Sequence, residues 1–350
     1  MTLLLNYRPV LRQPTGIGIY ANAVLPALQQ LPHVLVAGGE QGTGLQRLRR
    51  LAWSQWHLPH LARRHRASLI FTPAPEGYLG PQTIPQVVMV HDLRPISHPE
   101  RSMQSLYFRA WVPPLLRQCR QVLTNSSFTA GEIQRCTGVP LERIAVIPLG
   151  VDLLRFQPAA SLELTRASRP YLLHVGQAYP HKNLARLIQA FAAVAAAEPE
   201  LQLVLAGKPH PSESPRLQAL VDERGLGQRV QFRPYVPSAE LPELMAGALA
   251  FVYPSLWEGF GLPVLEAMAS GTPVLTSLGS GTEEAAGDAA VLVDPRDQGA
   301  LTAALWDLIT QPRLRDDLRQ RGLERVRTYS WERTAHATQA AVGGILSALS

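Results

Sequence analysis

The chain has 350 residues, of which 46% are apolar and 17% charged, and its formal net charge is +6. At about 150 residues per domain this length predicts two domains, and the composition excludes a disordered chain. No apolar run reaches the ~18–20 residues that a membrane-spanning helix requires, and the N-terminus shows no signal-peptide pattern. Two cysteines are too few for a disulfide framework or a zinc site, so we expect a cytoplasmic protein.

The charge is unevenly distributed. Residues 1–160 carry 16 arginines and 7 acidic residues, whereas residues 161–350 carry 17 basic and 20 acidic ones. A basic first half suits phosphate, anionic lipid or nucleic acid, or a merely solvated surface. Only two of the 33 basic residues are lysines, Lys182 and Lys208, and a compact ammonium group differs from guanidinium in how it binds anions.

Apolar runs and helical patterns alternate through the first half, which predicts βαβ units with parallel strands. The predicted strands are Leu3–Asn6, His33–Ala37, Ser68–Thr72, Gln86–Val90, Gln121–Thr124 and Ile144–Ile147. The predicted helices lie near residues 17–31, 45–66, 102–119 and 127–137. The polar segment Pro158–Arg169 has no periodic pattern and is interpreted as a linker between two domains.

The same alternation continues in the second half. The predicted strands are Tyr171–Val175, Leu201–Ala206, Val230–Arg233, Leu249–Tyr253, Pro273–Thr276 and Ala290–Val293. The predicted helices lie near residues 183–197, 213–224, 239–246, 262–270, 297–310 and 312–328. A last amphipathic segment, Trp331–Leu349, follows a break at Tyr329–Ser330.

Gly16 and Gly18 follow the first strand and open a helix, where backbone N–H groups are available to an anion. A dinucleotide fingerprint requires a third glycine three residues later, and Ala21 stands there. This departure argues against a nicotinamide-dependent dehydrogenase and leaves a tight strand-to-helix turn as the alternative.

Polar residues follow two further strands of the first half. His91 comes directly after Gln86–Val90, and ligands of open α/β sheets bind at the carboxyl ends of strands. A lone histidine is more often structural, but His91-Asp92 at a strand end, followed by Arg94 and His98-Pro99-Glu100, favours a functional role. The sequence Thr124-Asn125-Ser126-Ser127 ends another strand, and there a helix cap supplied by a serine is at least as good an interpretation as a ligand role.

The second half contains a denser set of polar residues at strand ends. Lys182 and Lys208 follow neighbouring predicted strands and could together hold a diphosphate. The loop after Leu249–Tyr253 contains Glu258, and the next helix contains Glu266. Two carboxylates beside a basic pocket suit the binding of sugar hydroxyls, although Glu266 could instead be a partly buried structural carboxylate.

These residues resemble the signature of the GT-B family 4 retaining glycosyltransferases. The resemblance covers nearly the whole chain: Gly16-x-Gly18, the HD…HPE of His91–Glu100, the TNSSFTAGEI of Thr124–Ile133, the VIPLGVD of Val146–Asp152, HVGQAYPHKNL, LVLAGK and EGFGLPVLEAMASGTPV. It implies two Rossmann-like α/β domains that face each other across a cleft. The expected parts are an acceptor domain at 1–157, a nucleotide-sugar domain at 170–329, and a helix at 330–350 that crosses back to the first domain.

The resemblance also implies roles for residues of the second domain. Lys182 and Lys208 would contact the donor diphosphate, Glu258 the hydroxyls of the transferred sugar, and Glu266 the ribose. The backbone around the intervening loop would meet sugar and phosphate through Gly259, Phe260, Gly261 and Leu262. Lys208 and Glu258 are therefore expected to take part in the chemistry.

In the first domain the resemblance places His91 near the donor sugar, where we expect it to take part in the chemistry, and Gly16 and Gly18 beside the diphosphate. Acceptor-binding residues are not implied. Many relatives carry arginine at the positions of Gln177 and His181, so an arginine role does not carry over and the phosphate contact depends more on Lys208.

The resemblance implies a hexosyl transfer, of mannose or a similar sugar, from a nucleoside diphosphate donor that is often GDP-linked, to a glycan or lipid-linked acceptor. The sequence has no Asp-x-Asp where a metal would bridge the phosphates, so we expect no cofactor and no metal. It also shows no obvious nucleophile, which favours front-face attack over a covalent intermediate. The rival interpretations are an NAD-dependent oxidoreductase and a non-catalytic nucleotide-sugar-binding protein. Nucleic-acid binding lacks the basic stripe with interleaved aromatics that it would need.

Residues 45–67 place arginines at both ends of a segment that contains tryptophan and leucine. This pattern is typical either of a helix on an anionic membrane surface or of a Rossmann helix whose apolar side, with Leu48, Leu51 and Trp53, faces the core. The first alternative predicts peripheral contact with the inner face of the membrane. The residues concerned are Arg47, Arg49, Arg50, Trp53, Trp56, Leu58, Leu61, Arg63, Arg64 and Arg66.

Overall fold

The computed structural model describes residues 1–10, 16–38, 50, 52–81, 83–98, 103–158 and 169–349. The chain divides into two compact units. Unit 1 comprises Met1–Gly150 together with Trp331–Ser350, and unit 2 comprises Val151–Ser330. The division therefore falls seven residues before the predicted boundary at 157, and most of the predicted linker lies outside the described residues.

Unit 1 contains a six-stranded parallel sheet in the order β2-β1-β3-β4-β5-β6. Its strands are β1 Thr2–Asn6, β2 Val34–Ala37, β3 Ala67–Thr72, β4 Gln86–Val90, β5 Gln121–Thr124 and β6 Ile144–Val146. The strands are nearly continuous apolar runs because both faces of a parallel sheet are covered by helices. The strand order reverses direction between β1 and β3, so their carboxyl ends border a crevice where ligands of such sheets bind.

Helices of unit 1 connect these strands. They are α1 Gly16–Leu28, α2 Leu58–Arg64, α3 Arg94–Ser97, α4 Met103–Gln118 and α5 Ser127–Thr137. Ser126 has an extended backbone, and its hydroxyl accepts a hydrogen bond from the N–H of Thr129 at 3.0 Å. The serine of the TNSS segment is therefore an N-cap, which is the structural alternative stated above.

The helix predicted at 45–66 differs from the structure. Residues 45–49 and 51 lie outside the described residues, and a π-helical turn at Trp53–His57 precedes α2. Leu58 and Ala62 are fully buried, and Trp53 and Leu61 pack against the same core. Trp56 points outward with 71% of its surface exposed. Of the residues expected on the core-facing side, Trp53 packs against the core, whereas Leu48 and Leu51 lie outside the described residues.

Unit 2 contains a second six-stranded parallel sheet in the order β12-β11-β10-β7-β8-β9. Its strands are β7 Tyr171–Val175, β8 Gln202–Ala206, β9 Val230–Arg233, β10 Ala250–Tyr253, β11 Val274–Ser277 and β12 Val291–Val293. The strand order reverses between β7 and β10, which are paired through Leu172 and Leu173. Both units therefore have the doubly wound α/β architecture that the alternating pattern predicted.

The helices of unit 2 cover both faces of this sheet. They are α6 Leu184–Ala195, α7 Glu213–Glu223, α8 Leu241–Ala246, α9 Leu262–Ala269, α10 Gly281–Ala286, α11 Gln298–Thr310 and α12 Pro312–Val326. Helix α6 contributes Leu187, Ile188 and Phe191 to the core beneath β7 and β8. The carboxylate of Asp297 caps α11 by accepting from the N–H of Ala300 at 2.9 Å.

The last helix, α13 Trp331–Ser347, belongs to unit 1 and packs against α1. Thr338 of α13 and Tyr20 of α1 are fully buried, and their side-chain oxygens lie 3.1 Å apart. Gln339 donates to the carbonyl of Ala27 at 2.7 Å, and Thr334 donates to the carbonyl of Pro148 at 2.8 Å. These contacts make α13 an integral part of unit 1, although unit 2 separates it from the rest of that unit in sequence.

Candidate active site

The reversal of strand order in unit 2 brings two loops together. The loop after β7 carries Lys182, and the loop after β10 carries Glu258. Because β7 and β10 are neighbours, their carboxyl ends open on the same crevice. Two residues that are 76 positions apart in sequence therefore lie in direct contact.

Lys182 and Glu258 form a nearly buried ion pair. The Nζ of Lys182 lies 2.6 Å from Oε1 of Glu258, and only 11% and 14% of the two side chains are exposed. The same Nζ donates to the hydroxyl of Tyr253 at 2.5 Å and lies 4.7 Å from the centre of the Tyr253 ring. Burial alone would lower the pKa of Lys182, but Glu258 and Tyr253 outweigh it and raise that pKa, so the ammonium form is retained.

The loop around Lys182 is fixed by its neighbour in the chain. Asn183 adopts a left-handed conformation with φ of 60°, between a short 3-10 turn at Pro180–Lys182 and helix α6. Its side-chain amide donates to the carbonyls of Pro254 at 3.1 Å and Pro295 at 2.7 Å. These bonds tie the turn that carries Lys182 to the loop after β10, which carries Glu258.

A buried histidine lies behind this ion pair. His174, on β7, is fully buried, and its ring stacks on Tyr253 with centroids 5.2 Å apart and planes inclined by 14°. Its Nδ1 lies 3.0 Å from the carbonyl oxygen of Val252. A carbonyl only accepts, so Nδ1 carries the proton. Burial lowers the pKa of His174 to about 3, and the ring is neutral.

The loop between the two predicted carboxylates has a close backbone contact. Gly261 has φ of 108°, a conformation that favours glycine, and it directly precedes Leu262, the first residue of α9. A Cβ at Gly281 would lie 2.2 Å from the carbonyl oxygen of Gly259. The N–H of Gly281 donates to the carbonyl of Glu258 at 2.9 Å, and Phe260 is buried. The loop is thus held in place by α10.

Glu266 lies inside α9, on the same element that follows this loop. Its side chain is partly buried, and burial raises its pKa to about 7 while the charge of Arg155 opposes the increase. A carboxyl group with this pKa changes charge near neutral pH. It can accept hydrogen bonds as a carboxylate or donate one as an acid.

Lys208 follows β8, the other neighbour of β7, and its side chain is exposed. The chain is tightly packed just before it, because a Cβ at Gly207 would lie 2.1 Å from the carbonyl oxygen of Gly176. The carbonyl of Lys208 accepts from the N–H of Ala178 at 3.1 Å. Beside this contact lies a mostly apolar cavity of about 310 Å³, lined by residues that include His174, Gly176, Leu205, Gly207, Ser214 and Phe232.

His91 lies in unit 1, directly after β4. Its Nε2 is 3.1 Å from the carbonyl oxygen of Pro73, and its ring meets Tyr20 edge-on at 5.1 Å. Burial lowers the pKa of His91 to about 4, so the imidazole is neutral. A pocket of about 110 Å³ adjoins it, lined by Ile17, Pro75, His91, Asp92, Arg94, Pro95 and Phe108.

The two predicted glycines of unit 1 lie in the first turn of α1. Gly16 is exposed, and a Cβ there would have no neighbour within 4 Å. Gly18 is buried. The structure therefore groups Lys182, Glu258, the loop Gly259–Leu262, Glu266 and Lys208 in unit 2, and His91 with the two glycines in unit 1.

Two residues beside the Lys182–Glu258 pair were not identified from the sequence. Tyr253 was assigned only to a predicted strand, and His174 was one residue of an apolar run. The available signal was a single histidine in that run, two residues before Gly176. Among the residues that the structure describes, no three of the types His, Cys, Asp and Glu are arranged to hold a metal ion. None of the described helices is both long enough and apolar enough to span a membrane.

A basic side chain, a carboxylate and a loop with two glycines lie at the switch point of the parallel sheet of unit 2, and both units have the Rossmann-like architecture of an α/β protein. Comparison with known families gives the same result. The family described as "Glycosyl transferases group 1" matches residues 163–325, and the family described as "Glycosyltransferase Family 4" matches residues 17–155. The chain belongs to the family 4 glycosyltransferases of the GT-B fold, as its motifs predicted.

Curated relatives include two bacterial mannosyltransferases. The chain is 33% identical over 270 residues to the O-antigen chain mannosyltransferase B of Escherichia coli, covering 74% of this chain and 70% of that protein. It is 34% identical over 279 residues to the MMP alpha-(1->4)-mannosyltransferase of Mycolicibacterium hassiacum, covering 73% of this chain and 64% of the relative.

Solved structures support the fold. Sucrose-phosphate synthase from Thermosynechococcus elongatus has a TM-score of 0.78 at 22% identity, covering 99% of this chain and all of that one. Anabaena Alr3699/HepE in complex with UDP-glucose has a TM-score of 0.76 at 19% identity, with coverage of 99% and 100%. The prediction of a GT-B fold with two Rossmann-like domains is confirmed.

Proposed function

We propose that this protein is a retaining hexosyltransferase. It moves a mannosyl or similar hexosyl group from a nucleoside diphosphate sugar, GDP-linked by preference, to a glycan or lipid-linked acceptor. The observation that carries the proposal is the contact between Lys182 and Glu258 at the switch point of unit 2. An ammonium group and a carboxylate side by side provide one contact for phosphate oxygens and one for sugar hydroxyls.

The leaving group of this reaction is a nucleoside diphosphate, and the reaction needs positive charge where that diphosphate departs. Lys182 retains its proton because Glu258 and Tyr253 raise its pKa. Lys208 adds an exposed ammonium group from the neighbouring strand end, and the first turn of α9 adds backbone dipoles. These groups supply electrostatic stabilisation without a metal, so we propose metal-independent transfer.

The choice of sugar is supported by the relatives. The two curated relatives described above are mannosyltransferases by name. Glu266, with a pKa near 7 inside α9, is the group proposed to bind the ribose. His91, Gly16 and Gly18 are proposed to contact the donor from unit 1.

A panel of donors tests the proposal directly. The protein is incubated with GDP-mannose, UDP-glucose, a dTDP-sugar and NADH, and thermal shift and donor hydrolysis are measured, with and without EDTA. We expect GDP-mannose to give the largest shift, because a ligand stabilises the fold to which it binds. Binding of NADH alone would instead support an oxidoreductase, and binding of a nucleotide sugar without hydrolysis or transfer would support a non-catalytic binding protein.

The stereochemistry needs a separate experiment. Donor is mixed with candidate acceptors, including a lipid-linked glycan, and the anomeric configuration of the first product is read by NMR. A product with the configuration of the donor sugar supports retention. Inversion would contradict that part of the proposal while leaving hexosyl transfer intact.

The acceptor class is linked to a surface of unit 1 that we call the basic strip: Trp56, His57, His60, Arg63, Arg64 and Arg66, all exposed. The sequence has no acidic residue between Glu40 and Glu76. Exposed cations beside an exposed tryptophan suit an anionic bilayer, to which each cation near the surface contributes about 1 kcal/mol. We propose that the basic strip holds the enzyme at such a bilayer, where a lipid-linked acceptor is located.

Sedimentation with liposomes of graded phosphatidylglycerol content tests this contact, at low and at high salt. Binding should rise with anionic lipid, fall with salt, and be lost when Arg63, Arg64 and Arg66 are changed to Ser. The matched control changes three exposed arginines of unit 2, Arg224, Arg313 and Arg327, to Ser and should bind as the original does. Equal loss in both variants, or no binding at low salt, would contradict the membrane contact.

A further inference from the structure

The structure assigns a role to His174 that the proposed function does not include. We propose that His174 is a positioning residue: it holds the ring of Tyr253 so that the Tyr253 hydroxyl keeps Lys182 beside Glu258. The inference rests on the proposed function for its effect on transfer, but the arrangement itself also has a consequence in the protein without ligand.

The first step is the fixed orientation of the imidazole. Nδ1 of His174 donates to the carbonyl of Val252 at 3.0 Å, so β7 and β10 are joined by a side-chain bond beside the ladder. The other ring nitrogen, Nε2, is buried, and no described residue makes a hydrogen bond to it. An apolar side chain of similar size could not make the bond to Val252, and this bond distinguishes a histidine at this position.

The second step runs from His174 to Tyr253. The two rings are nearly parallel, with an angle of 14° and a centroid distance of 5.2 Å. Phe251 lies on the same strand, with its ring 5.6 Å from that of Tyr253. Because Tyr253 is packed among these rings and is buried, its hydroxyl has a fixed position at the carboxyl end of β10.

The third step runs from Tyr253 to Lys182. Nζ of Lys182 donates to this hydroxyl at 2.5 Å and to Glu258 at 2.6 Å. The charged or titratable groups around Lys182 are Glu258, Tyr253, His174 and His181, and His181 lies 4.0 Å from Glu258. Tyr253 and Glu258 raise the pKa of Lys182 against the effect of burial. A displaced Tyr253 would remove part of that support and lower the pKa.

The test compares pH profiles of kcat/KM for the donor between about pH 7 and about pH 12, because the pKa of Lys182 lies above its ordinary value of 10.5. Tyr253→Phe removes the hydroxyl, and His174→Leu removes the ring that orients it. We expect both variants to lose activity at the basic end about one pH unit earlier than the original protein, because Lys182 loses its proton sooner. His174→Phe restores a flat ring and should recover most of the shift.

The double variant decides whether His174 acts through Tyr253. If it does, His174→Leu combined with Tyr253→Phe should shift the profile no further than Tyr253→Phe alone. Additive shifts would contradict the proposal. So would a His174→Leu variant whose rate falls equally at every pH, since that is the result of a merely structural role.

Tyr171 supplies a matched control on the same strand. Its hydroxyl donates to the carbonyl of Leu244 at 2.8 Å, at the opposite end of β7 from His174. Tyr171→Phe therefore removes a comparable side-chain bond to the backbone. It should leave the shape of the pH profile unchanged, whatever it does to thermal stability.

A readout without donor separates this inference from the proposed function. A lysine whose pKa is raised by folding contributes stability that is lost as pH rises through the folded pKa. In His174→Leu and Tyr253→Phe the loss of stability at basic pH should therefore be smaller in total, and complete at a lower pH, than in the original protein. If these profiles shift but no donor is turned over, only the proposed function fails; if they coincide, the role of His174 is wrong.

Discussion

Lys208 shows how one exposed side chain can be separated from its neighbours by experiment. It is exposed at the end of β8. The side chain of Lys182 bonds to Tyr253 and Glu258, so the loss of Lys208 leaves that network intact. We expect Lys208→Ala to reduce kcat by about 100-fold, since one group that stabilises developing charge contributes about this much. Steady-state kinetics check the value; an unchanged kcat with the true donor would contradict the leaving-group role.

Glu258 and Lys182 neutralise each other in the absence of donor, which gives an unusual expectation for the free nucleotide. Glu258→Gln removes the carboxylate from Lys182, so the ammonium group becomes available to a diphosphate. The variant should bind the nucleoside diphosphate several-fold more tightly while it transfers sugar more slowly. Calorimetric titration checks the affinity. Glu223→Gln, which removes one exposed charge from the same unit, is the control and should bind as before.

Glu266 predicts a pH effect on stability. Burial raises its folded pKa to about 7, above its ordinary value. Its contribution to stability is therefore fully present below the unfolded pKa and is lost as pH rises through about 7. Glu266→Gln lacks this group, so its Tm relative to the original protein should rise between about pH 5 and about pH 8. Parallel Tm profiles would contradict the raised pKa.

The backbone of the loop Glu258–Gly261 lies in direct contact with the backbone of helix α10, so a change in α10 should displace the loop. A Cβ at position 281 would lie 2.2 Å from the carbonyl oxygen of Gly259 and 2.6 Å from the N of Phe260. Gly281→Ala must therefore push the loop aside, and overpacking of this kind costs about 1–3 kcal/mol. We expect a lower Tm and at least a tenfold loss of donor affinity.

The control for that substitution is Gly227→Ala. A Cβ at Gly227 would have no neighbour within 4 Å, and its φ is not in the left-handed region. It should change neither Tm nor donor affinity by a measurable amount. If the two variants behave alike, the contact between α10 and the loop does not control the site.

The elements were predictable where the pattern is local. The strands at 86–90, 121–124, 171–175 and 230–233 coincide with their predicted limits, because runs of apolar residues end at polar or glycine residues. Helices α3 and α10 were not predicted, since four and six residues show too little periodicity. The π-helical turn at Trp53–His57 was also missed, because its residue pattern differs little from that of an α-helix.

The site was predictable residue by residue but not as a set of contacts. Lys182 and Glu258 were identified from their positions after strands, yet their mutual ion pair depends on β7 and β10 being neighbours. Strand order is a property of the whole sheet and is not encoded near either residue. His174 and Tyr253 were missed for the same reason, because their stacking also depends on the pairing of β7 with β10, which the sequence of neither strand shows.

At the scale of the whole molecule, the contact between α1 and α13 contributes to the stability of unit 1. Thr338→Val keeps the volume but leaves the buried hydroxyl of Tyr20 without its partner at 3.1 Å. This should destabilise unit 1 by about 1–3 kcal/mol. Urea unfolding with hydrogen exchange resolved by segment is the measurement, and peptides of unit 2 should exchange as before.

A second substitution tests whether the loss of stability comes from the unpaired hydroxyl of Tyr20. Tyr20→Phe combined with Thr338→Val removes both hydroxyls, so no unpaired group remains and part of the lost stability should return. Thr310→Val is the control, because its hydroxyl makes a similar bond to the carbonyl of Trp306 on an exposed part of α11. A double variant that is less stable than Thr338→Val would show that the pair is not the source of the effect.

The position of α13 has a consequence for the order of events during synthesis. Unit 2 is continuous from Val151 to Ser330, whereas unit 1 needs residues from both sides of it. Domains generally fold as they leave the ribosome, the first one made folding first. Residues 1–150 are made first, but the helix that covers Tyr20 is complete only when residue 347 has been added. Unit 2 can therefore reach its native state before unit 1 does. A nascent chain stalled after Ser330 should therefore resist protease across residues 169–330 and be cleaved within residues 1–150.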